Sequence, residues 1–372
     1  MISDPIPKQA CRLKKDEVVT IAHLSDLHFT SKTSLEAPHL ASLQEELANE
    51  NVDMIVVSGD IATCPLKDVF ISCWDLKPTP TDLKNVLELK KAETETWLKE
   101  LEGTFNLAHS FFKGLCETSG VDYPACLRVV PGNHDLRIHP DSFFPKPKGF
   151  FRRKEDPIEL VVDPADNTFQ RIFSDFAGDQ QLNFSHPKKT DNPSFDLAVL
   201  CFNSNSSDPI RNFATGKVSE ENLEKLRTLD NFYPEFKKVT KIVLMHHHPM
   251  PIPLSGGREG ILENDPFLVV QNTGIVMRDL VRAKIHLVLH GHKHYSGFSH
   301  TTYPLTSDDT HGISILGAGS SGTYCEGFHF NLVQLYQGGQ VFVTEKRRDH
   351  TGGYVDKRKF WLTPATAPGN AK

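Results

Sequence analysis

The sequence contains no long apolar run and no N-terminal signal sequence. Across its 372 residues, no stretch approaches the roughly 20 consecutive apolar residues that span a bilayer. The N-terminus, MISDPIPKQACRLKKDE, lacks the apolar core that a secretory signal peptide requires. We therefore expect no membrane partner and a cytoplasmic location.

Cysteine is scarce and follows no recognisable pattern. The seven cysteines form no CxxC pair, and their number is odd. Secreted domains held by disulfides tend to carry an even number of cysteines at clustered spacings. The sequence therefore favours reduced thiols.

Positive charge is not in excess, because 41 Lys and Arg residues stand against 47 Asp and Glu residues, giving a net charge of −6. Non-specific nucleic-acid binding depends on a positive field, which the chain as a whole lacks. With 38% hydrophobic and 24% charged residues, the composition is that of a globular protein and excludes collagen-like and wholly disordered chains. The length suits one large α/β domain or two average domains.

Histidine, by contrast, is abundant, with 18 residues that lie mostly in short clusters, a distribution that favours metal binding. Several clusters follow short apolar runs that predict buried strands. The predicted strands are Val18–Leu24, Met54–Val57, Leu127–Val130, Lys241–Met245 and Ile285–Leu289. Helical patterns lie between them at Ala37–Asn49, Leu83–Phe112, Glu220–Leu229 and Pro266–Val281. This alternation predicts an α/β fold whose ligands gather at the carboxyl ends of the strands.

We predict one domain at residues 18–345, between loosely held tails at 1–17 and 346–372. Two stretches inside the domain resemble insertions. The first, at about 64–122, is helical, and we interpret it as a cover for the sheet. The second, at about 140–166, concentrates Phe, Pro and basic residues and is interpreted either as a substrate-side loop or as a solvated loop.

Further strand-like runs follow the last histidine cluster, at Gly312–Leu316, Phe328–Gln337 and Gln340–Glu345. The Gly338-Gly339 pair between the last two runs is a candidate hairpin turn. These runs predict a second, more antiparallel sheet in the C-terminal part of the chain.

The residues that follow the five predicted strands carry metal-ligating groups. They are Asp26, His28, Asp60, Asn133, His134, His246, His292 and His294. Carboxylate, imidazole and amide donors together suit Mn, Fe, Zn or Co better than Ca or Mg alone. Two such ions about 3.5–4 Å apart can clamp a phosphate and generate hydroxide near neutral pH. Each motif alone carries little weight, but their ordered occurrence after strands indicates a metal centre.

The ordered motifs DLH, GD, GNHD, HHHP and GHKH resemble the calcineurin-like metallophosphoesterase superfamily, over about residues 18–345. Within it, MHHHPMP, GHKHYSG and LCFNSN are most similar to the class III cyclic-nucleotide phosphodiesterase group. The resemblance implies an α/β fold, a four-layer α/β/β/α sandwich of two mixed sheets, with metals at one edge.

The resemblance also implies two divalent ions, each with four protein ligands. The first ion would take Asp26, His28, Asp60 and His294. The second would take Asp60, Asn133, His246 and His292, with Asp60 and a hydroxide as bridges. Two catalytic residues are implied as well: His134 would contact the phosphate or protonate the leaving oxygen, and Asp135 would orient it.

The run of three histidines leaves a choice of ligand. Its alignment with the superfamily motif favours His246, and in an extended segment His247 would point the other way. His248 would return to the side of the site as a supporting residue. His23, His286 and His290 are interpreted as core or supporting residues.

The expected function is hydrolysis of a cyclic nucleotide or another small phosphodiester. A nuclease or nucleic-acid end-processing enzyme is an alternative, because the loop at 140–166 mixes cations with aromatic rings. A non-catalytic metal-binding scaffold is a second alternative, and a homodimer is a further hypothesis. Candidate substrate-binding residues are Asn203, Arg152 and Arg153; Asn203 stands where many cyclic-nucleotide enzymes carry an acid.

Overall fold

The computed structural model describes residues 18–63, 80–135, 168–173, 183–184, 197–205, 215–232, 239–251, 269–307, 309–322, 327–336 and 340–362. In these ranges the helices are α1 (Pro38–Asn49), α2 (Pro80–Ser119), α3 (Thr168–Ile172), α4 (Glu220–Phe232) and α5 (Thr273–Arg282). The first strands are β1 (Val18–Leu24), β2 (Met54–Val57), β3 (Leu127–Val129), β4 (Asn183–Phe184), β5 (Leu197–Cys201) and β6 (Thr240–Leu244). The others are β7 (Leu287–His290), β8 (Gly297–Pro304), β9 (Thr310–Gly317), β10 (His329–Tyr336), β11 (Val341–Arg348) and β12 (Tyr354–Trp361).

The described strands form two six-stranded sheets. Sheet one has the order β12-β11-β10-β1-β2-β3, and sheet two has the order β4-β5-β6-β7-β9-β8. In sheet one, β1, β2 and β3 run parallel, while β10 joins β1 antiparallel. In sheet two, β5, β6, β7 and β9 run parallel, with β4 and β8 antiparallel at the edges. Both sheets are therefore mixed.

Alternating side chains of β5 show how sheet two is covered on both faces. Leu197 and Val199 belong to the apolar cluster shared with sheet one, whereas Ala198 and Leu200 belong to the cluster shared with α4 and α5. Such alternation follows from the two-residue period of a strand. Helices α1 and α2 contribute to the cluster of sheet one, so the predicted four-layer α/β/β/α sandwich is confirmed.

The helical patterns of the sequence correspond to helices of this sandwich. In α1, Leu40, Leu43 and Leu47 recur at three- and four-residue spacing and are fully buried against sheet one. Helix α2, 40 residues long, spans much of the predicted insertion at 64–122, and its buried Phe105 and Phe112 pack into the same cluster. This half of the helix covers the sheet.

The C-terminal part of the chain differs from the expectation. The predicted tail at 346–372 is wrong in its first half, because β11 continues to Arg348 and β12 pairs with it antiparallel. Strand β12 is an edge strand whose Asp356 and Lys357 are exposed, so its polar sequence concealed a strand. The predicted separate antiparallel sheet is also wrong: β9 extends sheet two, whereas β10 and β11 extend sheet one.

The structure bears on two further expectations, the absence of a membrane-spanning segment and the state of the cysteines. No helix in the described ranges is long and apolar enough to cross a membrane. The expectation of reduced thiols is corrected, because Cys126 is disulfide-bonded, whereas Cys116 and Cys201 are free and buried. The other four cysteines, residues 1–17 and the loop at 140–166 lie outside the described residues.

Candidate metal centre

Strand ends of both sheets meet at one edge of the sandwich. The loops after β1, β2 and β3 of sheet one supply Asp26, Asp60 and Asn133. The loops after β6 and β7 of sheet two supply His246 and His292. The structure thus brings together donors from five loops that are far apart in sequence, as expected for the carboxyl ends of parallel strands.

We call Asp26, His28, Asp60 and His294 the first donor group, since their ligand atoms all lie within 4.8 Å of one another. The Nε2 atoms of His28 and His294 are 3.1 Å apart. Asp26 Oδ1 lies 3.2 Å from His294 Nε2 and 4.0 Å from His28 Nε2. Asp60 Oδ2 lies 4.0 Å from His28 Nε2. These are the four residues expected to hold the first ion.

The second donor group consists of Asp60, His246 and His292, also with ligand atoms within 4.8 Å of one another, together with Asn133. His246 Nε2 is its centre. This atom lies 3.3 Å from Asp60 Oδ2, 2.9 Å from Asn133 Oδ1 and 3.1 Å from His292 Nδ1. Asp60 belongs to both groups, so its carboxylate lies between them.

The donor chemistry of both groups fits cations. His246 Nδ1 donates its proton to the carbonyl oxygen of Ser58 at 2.7 Å, which leaves Nε2 as the ligand atom of the neutral ring. In that form, the lone pair of Nε2 faces the oxygen atoms of Asp60 and Asn133, which are acceptors as well. A proton or a metal ion between these atoms removes the repulsion among their lone pairs. In the first group, the buried Oδ1 of Asp26 lies 3.2 Å from His294 Nε2, so a carboxylate oxygen and an imidazole nitrogen face each other there as well. The residues therefore fit two divalent ions that share Asp60.

Burial and charge set the protonation of these donors in the absence of metal. Burial lowers the pKa of His28 to about 4, so its ring is neutral. Burial alone would raise the pKa of Asp60, but His246 and His134 hold it well below its usual range. Burial also opposes a charge on His246, yet the Asp60 carboxylate raises the pKa of His246 to about 9. A proton therefore occupies the position between His246 and Asp60 until a cation replaces it.

The backbone at the centre is unusual. Five of the expected ligands, which are Asp26, His28, Asp60, His292 and His294, have φ between 51° and 78° although none is glycine. Such residues cost on the order of 1–3 kcal/mol each and persist where surrounding contacts over-determine them. The clustering of this strain at one edge of the sandwich is typical of a functional site.

Glycine is required where the loops approach one another. A Cβ atom on Gly132 would lie 2.2 Å from Asp60 Oδ1. A Cβ atom on Gly291 would lie 1.8 Å from Ser25 Oγ and 2.7 Å from Asp26 Oδ2. Both glycines therefore make room for the carboxylates of the centre.

The two expected catalytic residues lie beside the donors but differ in role. The ring of His134 packs edge-on against His28, with centroids 5.0 Å apart, and its backbone N–H donates to Asp60 Oδ1 at 2.9 Å. The Asp135 carboxylate accepts backbone N–H groups from Ile61, Ala62 and Gly132 at 2.8–3.1 Å. Asp135 thus joins the loops after β2 and β3, a role that the sequence did not predict.

The histidines around His246 are all buried. The expectation that His247 points away is wrong, because its ring lies 4.6 Å from that of His292. His248 lies 4.2 Å from the ring of His290 beneath the centre, as a supporting residue would. His23 Nε2 bonds with Ser58 Oγ at 2.9 Å.

The candidate substrate-binding residues receive a mixed outcome. Asn203 is half-buried, and its Oδ1 accepts both the backbone N–H and the side-chain N–H of Asn205 at 3.0 Å. Asn205 in turn donates to the Gly132 carbonyl at 3.2 Å, beside Asn133. Asn203 therefore supports the loop next to the second donor group. Arg152 and Arg153 lie outside the described residues.

Three buried serines at the centre were missed in the sequence: Ser58, Ser204 and Ser320. The carbonyl of Ser58 accepts from His246, while the hydroxyls of Ser204 and Ser320 bond to the backbones of His246 and Asp26. The signals in the sequence are the positions of Ser58 and Ser320 shortly after predicted strands and the place of Ser204 in the motif LCFNSN, and they do not reveal which ligand each serine contacts.

The chain matches one protein-family model and a number of solved structures. No curated protein sequence matches the chain. Among solved structures, a purple acid phosphatase isolated from yellow lupin (Lupinus luteus) seeds is 12% identical, with a TM-score of 0.48. That alignment covers 94% of this chain and 54% of the plant protein, so the chain spans about half the length of that protein. The model of the calcineurin-like phosphoesterase family matches residues 19–296, well over half of the chain. The chain therefore belongs to the calcineurin-like phosphoesterase family.

Proposed function

We propose that the chain is a metal-dependent phosphoric ester hydrolase that uses two divalent cations. The observation that carries the proposal is the pair of donor groups that share Asp60, with ligand atoms within 4.8 Å in each group. When bound, two such cations supply positive charge for a phosphate and a nucleophile derived from water at neutral pH. The mixed carboxylate, imidazole and amide donors favour Mn, Fe, Zn or Co as those cations.

The residues of the chain would perform the remaining steps. Asn133 and His134, on one 3-10 turn beside Asp60, would contact the non-bridging oxygens of the phosphate. The His134 ring, next to His28, would donate a proton to the leaving oxygen. Asp135 would hold the two loops that present Asp60 and Asn133 in register, through its three backbone hydrogen bonds.

For the substrate, we propose a small phosphodiester, with cyclic nucleotides as the first class to examine. The proposal rests on the similarity of MHHHPMP and GHKHYSG to the class III group. The net charge of −6 supports a small substrate over nucleic acid.

The test is hydrolysis of bis(p-nitrophenyl) phosphate and p-nitrophenyl phosphate by metal-stripped protein with added Mn²⁺. The proposal predicts turnover of the diester that requires Mn²⁺ and disappears in Asp60→Asn. Asp279→Asn is the matched control, because Asp279 is equally buried but lies on α5 and binds Arg227 and Arg278. Its activity should equal that of the wild type.

Other outcomes identify the alternatives. Cleavage of single-stranded oligonucleotides with a steep salt dependence, and little turnover of small diesters, would support a nuclease. Two bound Mn²⁺ ions per chain without turnover of any ester would support a scaffold. Preference for the monoester would replace the phosphodiesterase proposal by a phosphatase.

A cytoplasmic location and a homodimer are further proposals that rest on the sequence. The disulfide at Cys126 counts against a reducing compartment. Acid quenching of cells, alkylation of the thiols under denaturing conditions and mass spectrometry decide the first: because Cys126 is buried, it reacts only once the chain is unfolded, and a cytoplasmic protein should have it alkylated. Light scattering of the purified protein decides the second.

A further inference from the structure

Ser204 and Ser320 lie in the layer behind the donor groups. Ser204 follows β5 and Ser320 follows β9, and their relative exposures are 0% and 1%. Each hydroxyl contacts the backbone of an expected ligand, but the two ligands belong to different donor groups. Each serine therefore supports one donor group and not the other.

Ser204 supports the second donor group. Its Oγ accepts the backbone N–H of His246 at 3.2 Å and that of His247 at 3.0 Å. Since both lone pairs of the hydroxyl are then used, its own hydrogen donates to His247 Nδ1, 3.0 Å away. Removing this hydroxyl would leave two buried N–H donors without a partner at the residue that centres the second group.

Ser320 supports the first donor group. Its Oγ donates to the carbonyl oxygen of Asp26 at 2.8 Å, and the Gly322 N–H donates to the same oxygen at 3.3 Å. Asp26 has a φ of 52°, a conformation that needs such external support. A Cβ atom on Gly322 would lie 1.8 Å from the Leu27 carbonyl oxygen, so this segment packs directly on the ligand loop.

We propose that Ser204 and Ser320 are positioning residues, each for one cation: Ser204 acts through His246 on the second position, and Ser320 acts through Asp26 on the first. The proposal rests on the cation binding of the proposed function but not on its catalytic step. Supporting residues of metal ligands are commonly worth about 10- to 100-fold in metal affinity. We expect a loss of that size at one position only.

The experiment isolates each position with a ligand variant. His294→Ala removes a donor of the first group, and His292→Ala removes a donor of the second. Mn²⁺ binding to metal-stripped protein is followed by the electron paramagnetic resonance signal of free Mn²⁺. In the His294→Ala background, where the second position remains, Ser204→Ala should lower Mn²⁺ affinity by about 10- to 100-fold. In the His292→Ala background, where the first position remains, Ser204→Ala should leave Mn²⁺ affinity unchanged. Ser320→Ala should show the opposite pattern.

Ser314→Ala is the matched control, because Ser314 is fully buried on β9 and bonds to His300 rather than to a ligand. It should leave both positions unchanged. If either alanine variant fails to fold, Ser204→Cys or Ser320→Cys keeps the shape of the side chain with a weak hydrogen-bonding thiol, and the same selective loss is expected in smaller size.

Equal weakening of both positions, or a shift no larger than that of Ser314→Ala, would overturn the proposal, because a general loss of stability has no preference between positions. Wild-type protein that binds no Mn²⁺ would overturn both this inference and the proposed function. Wild-type protein that binds two Mn²⁺ ions and hydrolyses no ester would overturn the proposed function alone.

Discussion

At the scale of single residues, the proton on His246 controls the second donor group. Because the pKa of His246 is raised to about 9, the ring carries a second proton at neutral pH, and this proton must leave before Nε2 binds a cation. His28, with a pKa of about 4, and the ionised Asp60 impose no such cost. The apparent Mn²⁺ affinity of the second position should therefore rise about tenfold per pH unit up to about pH 9 and then level off.

Calorimetric titration at about pH 7 in two buffers of different ionisation enthalpy measures the linked protons. The prediction is the release of about one proton for the ion bound at the second position. An affinity that does not change between about pH 6 and pH 8 would show that His246 is already neutral there.

Gly132 carries a second residue-scale prediction. A methyl group at this position would lie 2.2 Å from Asp60 Oδ1 and 2.3 Å from the Asp60 backbone nitrogen, so a turn of the carboxylate alone would not make room for it. Gly132→Ala should therefore reduce Mn²⁺ affinity at both positions and lower kcat/KM by at least tenfold, about 1.4 kcal/mol. Gly103→Ala is the control, because nothing lies within 4 Å of a Cβ atom there and the site is within α2. The control should keep full activity and gain about 0.5–1 kcal/mol of stability.

The sequence predicted the ligand residues better than their supports. Asp26, Asp60 and His246 stand out because their motifs follow predicted strands in a fixed order, although each motif alone carries little weight. Ser204 and Ser320 do not stand out, since their hydroxyls matter only once β5 and β9 are in register with β6 and β7. The contact of His247 with His292 was likewise hidden, because the chain bends at His246 and His247 rather than continuing as a strand.

At the scale of elements, a buried lysine ties helix α1 to the edge of sheet one. Lys346 on β11 bonds to Glu46 on α1, to Glu50 directly after that helix and to Asp356 on β12. The pKa of Lys346 is raised by these three carboxylates against the effect of burial, so the charge is retained. Lys346→Met would leave three carboxylates facing one another and should lower the free energy of unfolding by about 3 kcal/mol.

Urea unfolding monitored by circular dichroism measures this loss. Lys359→Met is the control, because Lys359 pairs with Asp356 but is 55% exposed, and it should cost less than about 1 kcal/mol. Equal losses in the two variants would mean that Lys346 contributes no more than a surface pair.

The elements themselves were predictable to different degrees. Strands β1 and β2 have the predicted bounds, because buried parallel strands are continuous apolar runs. Strand β12 was missed because four consecutive charged residues, at 356–359, interrupt any alternation of apolar and polar residues. The sheet to which β9 and β10 belong depends on pairing with strands far away in sequence, which no local pattern specifies.

At the scale of the whole molecule, the donor groups join the two sheets. Asp26, Asp60 and Asn133 come from sheet one, whereas His246, His292 and His294 come from sheet two, so each ion would bridge the sandwich. The sequence predicted this arrangement only through the resemblance, since the packing of one sheet on the other has no local signature. A cation bound by both sheets stabilises the folded chain, because unfolding separates its ligands.

Addition of Mn²⁺ to metal-stripped protein should therefore raise its stability, by about 2.7 kcal/mol for each ion at a free concentration of about 100 times Kd. Scanning calorimetry should show a melting temperature higher by about 5 °C or more. His292→Ala removes a ligand that sheet two supplies to the second group, so this variant should lose about half of the gain in stability. Ca²⁺ prefers oxygen ligands and should therefore give little of the gain. An unchanged melting temperature despite two bound ions would mean that unfolding does not separate the ligands. The bridge between the sheets would then have no part in stability.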